Sequence, residues 1–124
     1  MKKIDMHFHS THSDGRNTEE ELLQHAQTKK VEFLALTDHD NISSGFREKA
    51  AKYGIQSCES VEISARNYQD EKSLHLTCYT KHFSHDVHAI LNNVREARKG
   101  NLETQIIALQ QSGFQITMQE LYDF

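Results

Sequence analysis

The sequence predicts an α/β domain, and three observations carry that reading. Strand-like runs alternate with capped helical stretches, one short run is apolar throughout as a strand of a parallel sheet would be, and the residues richest in chemistry follow or sit within the strand-like runs. A chain of 124 residues suits one domain, with a core covering about two-thirds of the unfolded surface, and is too short for two full ones.

Residues 3–9 alternate, setting Ile4, Met6 and Phe8 on one side of a strand and Asp5, His7 and His9 on the other. Ser10 to Asn17 is a polar loop containing Asp14-Gly15. Thr18 with Glu21 forms a capping box that opens a helix through about Lys29, with Leu22, Leu23 and Ala26 facing inward. Val31 to Leu36 reads as a strand buried on both faces that delivers Thr37-Asp38-His39-Asp40 at its C-terminal end. A second capped helix is expected from Ser43 or Ser44 to Tyr53, stopping at Gly54.

Ile55 to Ala65 carries a third strand signal around Val61-Glu62-Ile63, and Leu74 to Thr80 a fourth, with Asn67 to Lys72 as the turn between them. From Ser84 to Ser112 the chain reads as helical, with Ile90, Val94, Leu102, Ile106 and Leu109 at helical spacing, a break at Gly100 and an end at Gly113. This order points to mostly parallel strands with flanking helices and binding residues at the strands' C-terminal ends. There is no internal repeat, low-complexity segment or linker, and the final Glu120-Leu121-Tyr122-Asp123-Phe124 has no closing signal.

The formal charge of −4 argues against nucleic-acid binding by bulk electrostatics, but leaves open a small anionic substrate held through metal ions. The longest apolar run, Phe33 to Leu36, falls far short of the ~20 residues that span a bilayer, and no signal-peptide core follows Met1-Lys2-Lys3. The expectation is a cytoplasmic protein with no membrane partner. Cys58 and Cys78, without a paired C-x-x-C arrangement, read as reduced thiols.

Nine histidines are spread along the chain. His7 and His9 leave the same face of a strand about 7 Å apart at the backbone and can converge on one ion; alone, the pair also suits two edge-strand histidines. Asp14 beside Gly15 reads equally as a ligand or a turn former. His39 between Asp38 and Asp40, directly after a buried strand, is not explained by packing, and a carboxylate next to a ligating imidazole can fix its tautomer. Glu62 inside an apolar strand either has a buried partner or points outward, and His75 between Leu74 and Leu76 poses the same choice. His25, His82, His85 and His88 read as solvated, as does His12, the one of these placed to approach a bound phosphate.

The strings Asp5-Met6-His7-Phe8-His9-Ser10, Ser13-Asp14-Gly15, Leu36-Thr37-Asp38-His39-Asp40, Val61-Glu62-Ile63-Ser64 and Leu74-His75-Leu76 together resemble the polymerase and histidinol phosphatase (PHP) superfamily of metal-dependent phosphoesterases. The closest likeness is to the branch that hydrolyses nucleotide phosphoesters and short RNAs, and Arg95-Glu96-Ala97-Arg98 is similar to that branch's arginine-bearing helix. The resemblance implies the N-terminal part of a distorted (β/α)7 PHP-type barrel. It further implies that His7, His9 and Glu62 ligate one metal, that Glu62 bridges to a second ion also held by His75, and that Asp14 with His39 holds a third. Asp38 and Asp40 would support these ligands from behind.

A complete site of this kind takes two or three divalent ions, Mn, Zn or Fe, and hydrolyses phosphomonoesters or phosphodiesters with a metal-activated water. Two positions depart from the family pattern: Ser60 stands where Gly is usual, and Thr77-Cys78-Tyr79 where a Gly-rich stretch is usual. The family barrel is longer and draws further ligands from its second half. Residues 1–124 therefore read as a single PHP-like domain truncated after its N-terminal half, with about 84–124 a helical segment leading into the missing part. The rival reading is a non-catalytic, truncated PHP-like module that binds a metal or a partner. In either case an open sheet edge invites self-association.

Overall fold

In the computed structural model, which describes residues 2–122, the elements follow in the order β1 (Ile4–Phe8), α1 (Glu19–Thr28), β2 (Phe33–Leu36), α2 (Phe46–Lys52), β3 (Glu59–Arg66), β4 (Ser73–Thr80), α3 (His85–Gln111) and α4 (Met118–Tyr122). The chain divides into two compact units, one ending at Leu91 and the other beginning at Asn92.

In the first unit β1 and β2 pair in parallel, while β3 and β4 form an antiparallel hairpin in unbroken register from Glu59↔Thr80 to Arg66↔Ser73. The expectation of mostly parallel strands is thus corrected for β4 alone. The short Asn67–Lys72 connection, closed by a backbone bond from Asn67 N–H to the Lys72 carbonyl (2.8 Å), leaves no room for the crossover that a parallel pair requires. Between β2 and β3 the pairing reduces to isolated parallel bridges, Phe33↔Gln56 and His39↔Glu62. Side chains bond the strand backbone there: the hydroxyls of Ser57 and Ser60 each donate to a β2 carbonyl, of Leu34 and Leu36, at 2.6 Å. Ser60, one of the departures from the family pattern, therefore has a structural use.

Helix α1 begins as its sequence directs. Thr18 and Glu21 cap each other's backbone in both directions, and Leu23 and Ala26 are buried. They join Leu34, Leu36, Phe46, Ala50 and Ile55 in one apolar core, with Phe8, Val31 and Tyr53 packed against it. The alternation expected along β1 fails in the middle. Ile4 and Met6 are exposed while Phe8 packs on the core, because the β1–β2 register shifts between Asp5 and Phe8 and turns the strand about its axis. Asp5 and Phe8 consequently line the same cavity beside α1.

Helix α2 starts later than expected, at Phe46, behind Gly45 in the left-handed region (φ 81°) and with no side-chain cap. The Ser43 hydroxyl that could have capped it donates instead to the buried carboxylate of Glu19. Helix α3 runs through Gly100 without the expected break. A Cβ at that position would meet open space, and one exposed glycine costs a helix only about 1 kcal/mol relative to alanine. Leu91 and Ile106 are its buried apolar residues, whereas Ile90 and Leu109 are exposed, so the apolar stripe lies partly off the expected positions.

In the second unit α3 ends at Gln111, and the turn beyond it is closed at Gly113 (φ 92°) by bonds from Gly113 N–H to Gln110 and from Phe114 N–H to Leu109. The short α4 lies within the expected helical segment 84–124, which the sequence reading does not divide after Gly113 into a separate helix. Thr117 and Glu120 form a second capping box ahead of it, a T-x-x-E signal as plain as that of α1. Residues 123 and 124 of the expected 84–124 segment lie outside the described residues. No helix among the described residues is long and apolar enough to cross a membrane.

Candidate metal centre

Three backbone features bring the chemistry-bearing side chains together. The Phe8 carbonyl takes the Thr37 N–H (2.9 Å), which aligns the end of β1 with the end of β2 and sets His9 near His39. The segment after β2 then bonds to β3 on both sides of Glu62, from Glu62 N–H to the Asp38 carbonyl (3.2 Å) and from Asp40 N–H to the Glu62 carbonyl (2.9 Å). Asp40 adopts φ 49° to make that turn, and its carboxylate takes the Ser64 N–H at 2.8 Å. Finally, antiparallel β4 brings His75 to β3's side of the cluster.

The strand-end expectation is corrected in two places. Glu62 lies within β3 rather than at its end, and His75 lies near the start of β4, because β4 runs the other way.

His7, His9, Asp14, His39, Glu62 and His75 all meet. Glu62 Oε2 stands 3.2 Å from His7 Nε2, 2.9 Å from His9 Nε2 and 3.6 Å from His39 Nδ1, while its Oε1 stands 3.5 Å from His75 Nδ1. Asp14 spans the other side, with Oδ1 2.8 Å from His9 Nδ1 and Oδ2 3.5 Å from His39 Nε2. The rings of His9 and His39, and of His39 and His75, are each 4.6 Å apart between centroids. Three overlapping groups of convergent ligand atoms result: His7, His9 and Glu62; His9, Asp14 and His39; and His39, Glu62 and His75. Burial pushes the Asp14 carboxyl upward, but the His9 and His39 imidazoles beside it outweigh that and hold it below the ordinary aspartate value.

The donor set fits a divalent ion. His7 Nε2, His9 Nε2 and Glu62 Oε2 form a triangle with edges of 3.1, 3.2 and 2.9 Å. Ligand atoms about 2.0–2.1 Å from one zinc ion stand about 3.3 Å from each other in a tetrahedron, close to those edges. His39 Nδ1 is buried and has no hydrogen-bond partner among the described residues, an unusual state for a ring nitrogen unless another group takes its lone pair.

Asp38 is fully buried, and among the described residues its carboxylate bonds to serines rather than to an imidazole. It accepts from Ser10 N–H (2.8 Å), Ser10 Oγ (2.6 Å) and Ser13 Oγ (2.5 Å), and so fixes the loop between β1 and α1. That loop curls tightly, with Gly15 N–H bonded to the Ser10 carbonyl (2.9 Å). A Cβ at position 15 would lie 2.2 Å from the His9 carbonyl oxygen, so glycine is required there by space.

Sequence reasoning passed over several residues around the cluster. Ser10 and Ser13 stood inside the quoted motifs and could have been marked as hydroxyl partners for Asp38. Tyr79, whose hydroxyl donates to the Met6 carbonyl at 2.6 Å, had no local signal, since its partner is on β1. Two histidines read as solvated have acidic neighbours: His12 Nε2 lies 3.4 Å from Glu19, and His82 Nδ1 lies 3.0 Å from Glu59.

A profile of the PHP domain matches residues 5–119. Phosphoribosyl 1,2-cyclic phosphate 1,2-diphosphodiesterase of Eggerthella lenta is 30% identical over 118 residues, which make up 93% of this chain and 45% of that protein. The 3',5'-nucleoside bisphosphate phosphatase of Chromobacterium violaceum is 43% identical over 67 residues, 52% of this chain and 23% of that one. The chain thus spans less than half the length of either. A crystal structure from Bifidobacterium adolescentis, described provisionally as a metal-dependent phosphoesterase, superposes with a TM-score of 0.76 at 24% identity, covering 95% of this chain and 41% of the other; at that identity the likeness speaks for the fold alone. A profile match over nearly the whole length, on a chain whose His and carboxylate side chains converge as described, shows that it belongs to the PHP domain family.

Proposed function

We propose that this chain carries the metal-binding half-site of a phosphoesterase acting on phosphorylated small molecules, nucleotides or short RNA. The observation that carries this reading is the position of Glu62. Its two oxygens reach four imidazoles on three separate stretches of chain, an arrangement that packing does not require and that a pair of neighbouring cations uses fully. His7, His9 and Glu62 would hold one ion, Glu62 and His75 would share in a second, and Asp14 with His39 would serve a third. Mixed imidazole and carboxylate ligands suit Mn, Zn or Fe over Mg or Ca.

When bound, such ions neutralise charge on the phosphoryl oxygens and supply an attacking water acidified toward neutral pH. The chain's own part is to hold its donors in place. Asp38 pins the loop carrying Asp14 through Ser10 and Ser13, and Asp40 pins β3 beyond Glu62 through Ser64. The relatives named as a cyclic-phosphate diphosphodiesterase and a nucleoside bisphosphate phosphatase support phosphate esters as the substrate class. The test is hydrolysis of bis(p-nitrophenyl) phosphate and of a nucleoside bisphosphate by the chain supplied with Mn or Zn. Turnover that falls to background in Glu62→Gln supports the reading, and equal turnover in the two contradicts it.

The open edge of β4 supports self-association as well. Among the described residues β4 pairs only with β3, and Leu74 and Leu76 are exposed along it.

A further inference from the structure

We infer that Ser13 is a positioning residue that sets which nitrogen of His9 faces the metal centre. This rests on the reading of His9 as a ligand. Ser13 Oγ lies 2.5 Å from Asp38 Oδ1, 3.3 Å from His9 Nδ1 and 3.5 Å from Asp14 Oδ1. A serine hydroxyl has one proton to give, and the short contact to a fully buried carboxylate takes it. Toward His9 the same oxygen can then act only as an acceptor.

His9 Nδ1 must therefore be the N–H that donates, and its lone pair belongs to Nε2, the atom 2.9 Å from Glu62 Oε2 and 3.1 Å from His7 Nε2. Asp14 Oδ1, 2.8 Å from the same Nδ1, is a second acceptor. It is much more exposed than the serine, and once Asp14 is engaged elsewhere Ser13 remains to receive the proton. The chain Asp38, Ser13, His9 is thus a buried carboxylate acting on a ligand through a hydroxyl, whereas the sequence reading set Asp38 and Asp40 beside His39.

This arrangement also separates two of the overlapping groups. With Nδ1 protonated, His9 serves the group containing His7 and Glu62 and does not ligate alongside Asp14 and His39, which are left as a pair. Asp38 thereby has two tasks that share one set of bonds: it holds the loop through Ser10 and orients His9 through Ser13.

The test compares the wild-type chain with Ser13→Ala and Ser13→Thr by zinc titration and by proton NMR of the zinc-loaded forms. In the wild type and in Ser13→Thr, which keeps the hydroxyl, the His9 Nδ1–H is expected as a slowly exchanging downfield resonance. In Ser13→Ala that resonance is lost to exchange and zinc affinity falls about 10–100-fold, the usual effect of removing an outer partner of a ligating histidine. Thr rescue of both readouts excludes a general loosening of the loop. Equal affinity and an unchanged resonance in Ser13→Ala would overturn the role of Ser13 while leaving the metal centre intact. Failure of the wild type to bind zinc would overturn both.

Discussion

His9 Nε2 and Glu62 Oε2 stand 2.9 Å apart, although one residue follows the end of β1 and the other lies within β3. Neither strand pairs with the other. The contact is built by the segment between them, because β2 aligns β1 while Asp38 and Asp40 bond the backbone on either side of Glu62. A short stretch after a short strand therefore governs whether the cluster forms.

Replacing Gly15 by Ala tests how tightly the loop below His9 is closed. The added Cβ would fall 2.2 Å from the His9 carbonyl oxygen and 2.7 Å from the Ser10 nitrogen, both backbone atoms that cannot swing aside. The expected cost is about 1–3 kcal/mol, as for other overpacked sites, together with weaker metal binding because His9 moves with its carbonyl. Urea denaturation and a zinc titration measure the two effects. A variant as stable as the wild type would show that the loop is looser than described.

Glu19 links α1 to α2. Its buried carboxylate accepts from Ser43 and pairs with Lys49, and His12 lies 3.4 Å away. Burial alone would raise its pKa, but the bonds from Lys49 and Ser43 and the charge of Lys49 outweigh that and hold it below the ordinary glutamate value. A lowered carboxyl pKa contributes stability above the ordinary value, and that contribution is lost as pH falls through the lower, folded one. Glu19→Gln is therefore expected to differ most from the wild type at neutral pH and to converge with it in acid, as read by thermal melts across pH. Lys49→Met should cost about 1–3 kcal/mol at neutral pH, since it takes the half-exposed cation from a buried carboxylate that Ser43 still bonds. A pH-independent gap for Glu19→Gln would contradict this assignment.

The exposed edge of β4 should mediate association. Leu76, 51% exposed on that strand, is the residue at which a charge would most directly block it. Light scattering is expected to show a concentration-dependent dimer for the wild type and a monomer for Leu76→Lys. A monomeric wild type at high concentration would contradict the proposal.

Much of this was legible in the sequence because the signals were local. The capping box of Thr18 and Glu21, the buried run ending at Leu36 and the stop at Gly113 each depend on neighbours a few residues away. The six convergent side chains could be marked together through the likeness of their motifs to the PHP superfamily, whereas alternation and spacing alone left each of them a plainer reading. What escaped depends on distant partners. The β1 register shift arises only against β2, Ser43 leaves its capping role because Glu19 on α1 takes its hydroxyl, and the antiparallel run of β4 follows from a connection too short for a crossover. Asp38 was expected to support the ligands from behind, and its contact with serines instead of imidazole follows from how the loop folds back over it.

Metal content after exhaustive dialysis, measured by elemental analysis on the wild-type chain and on Glu62→Gln, tests the central claim most directly. Glu62 joins two of the three ligand groups, as His9 and His39 also do, and it is the one carboxylate of the triangle it forms with His7 and His9, so its loss takes the negative charge out of that site. The account predicts that the wild type retains about one Mn or Zn per chain, the ion held by the His7, His9 and Glu62 triangle, and that Glu62→Gln retains essentially none. A wild-type chain that holds no ion, or a Glu62→Gln chain that holds as much as the wild type, would contradict it.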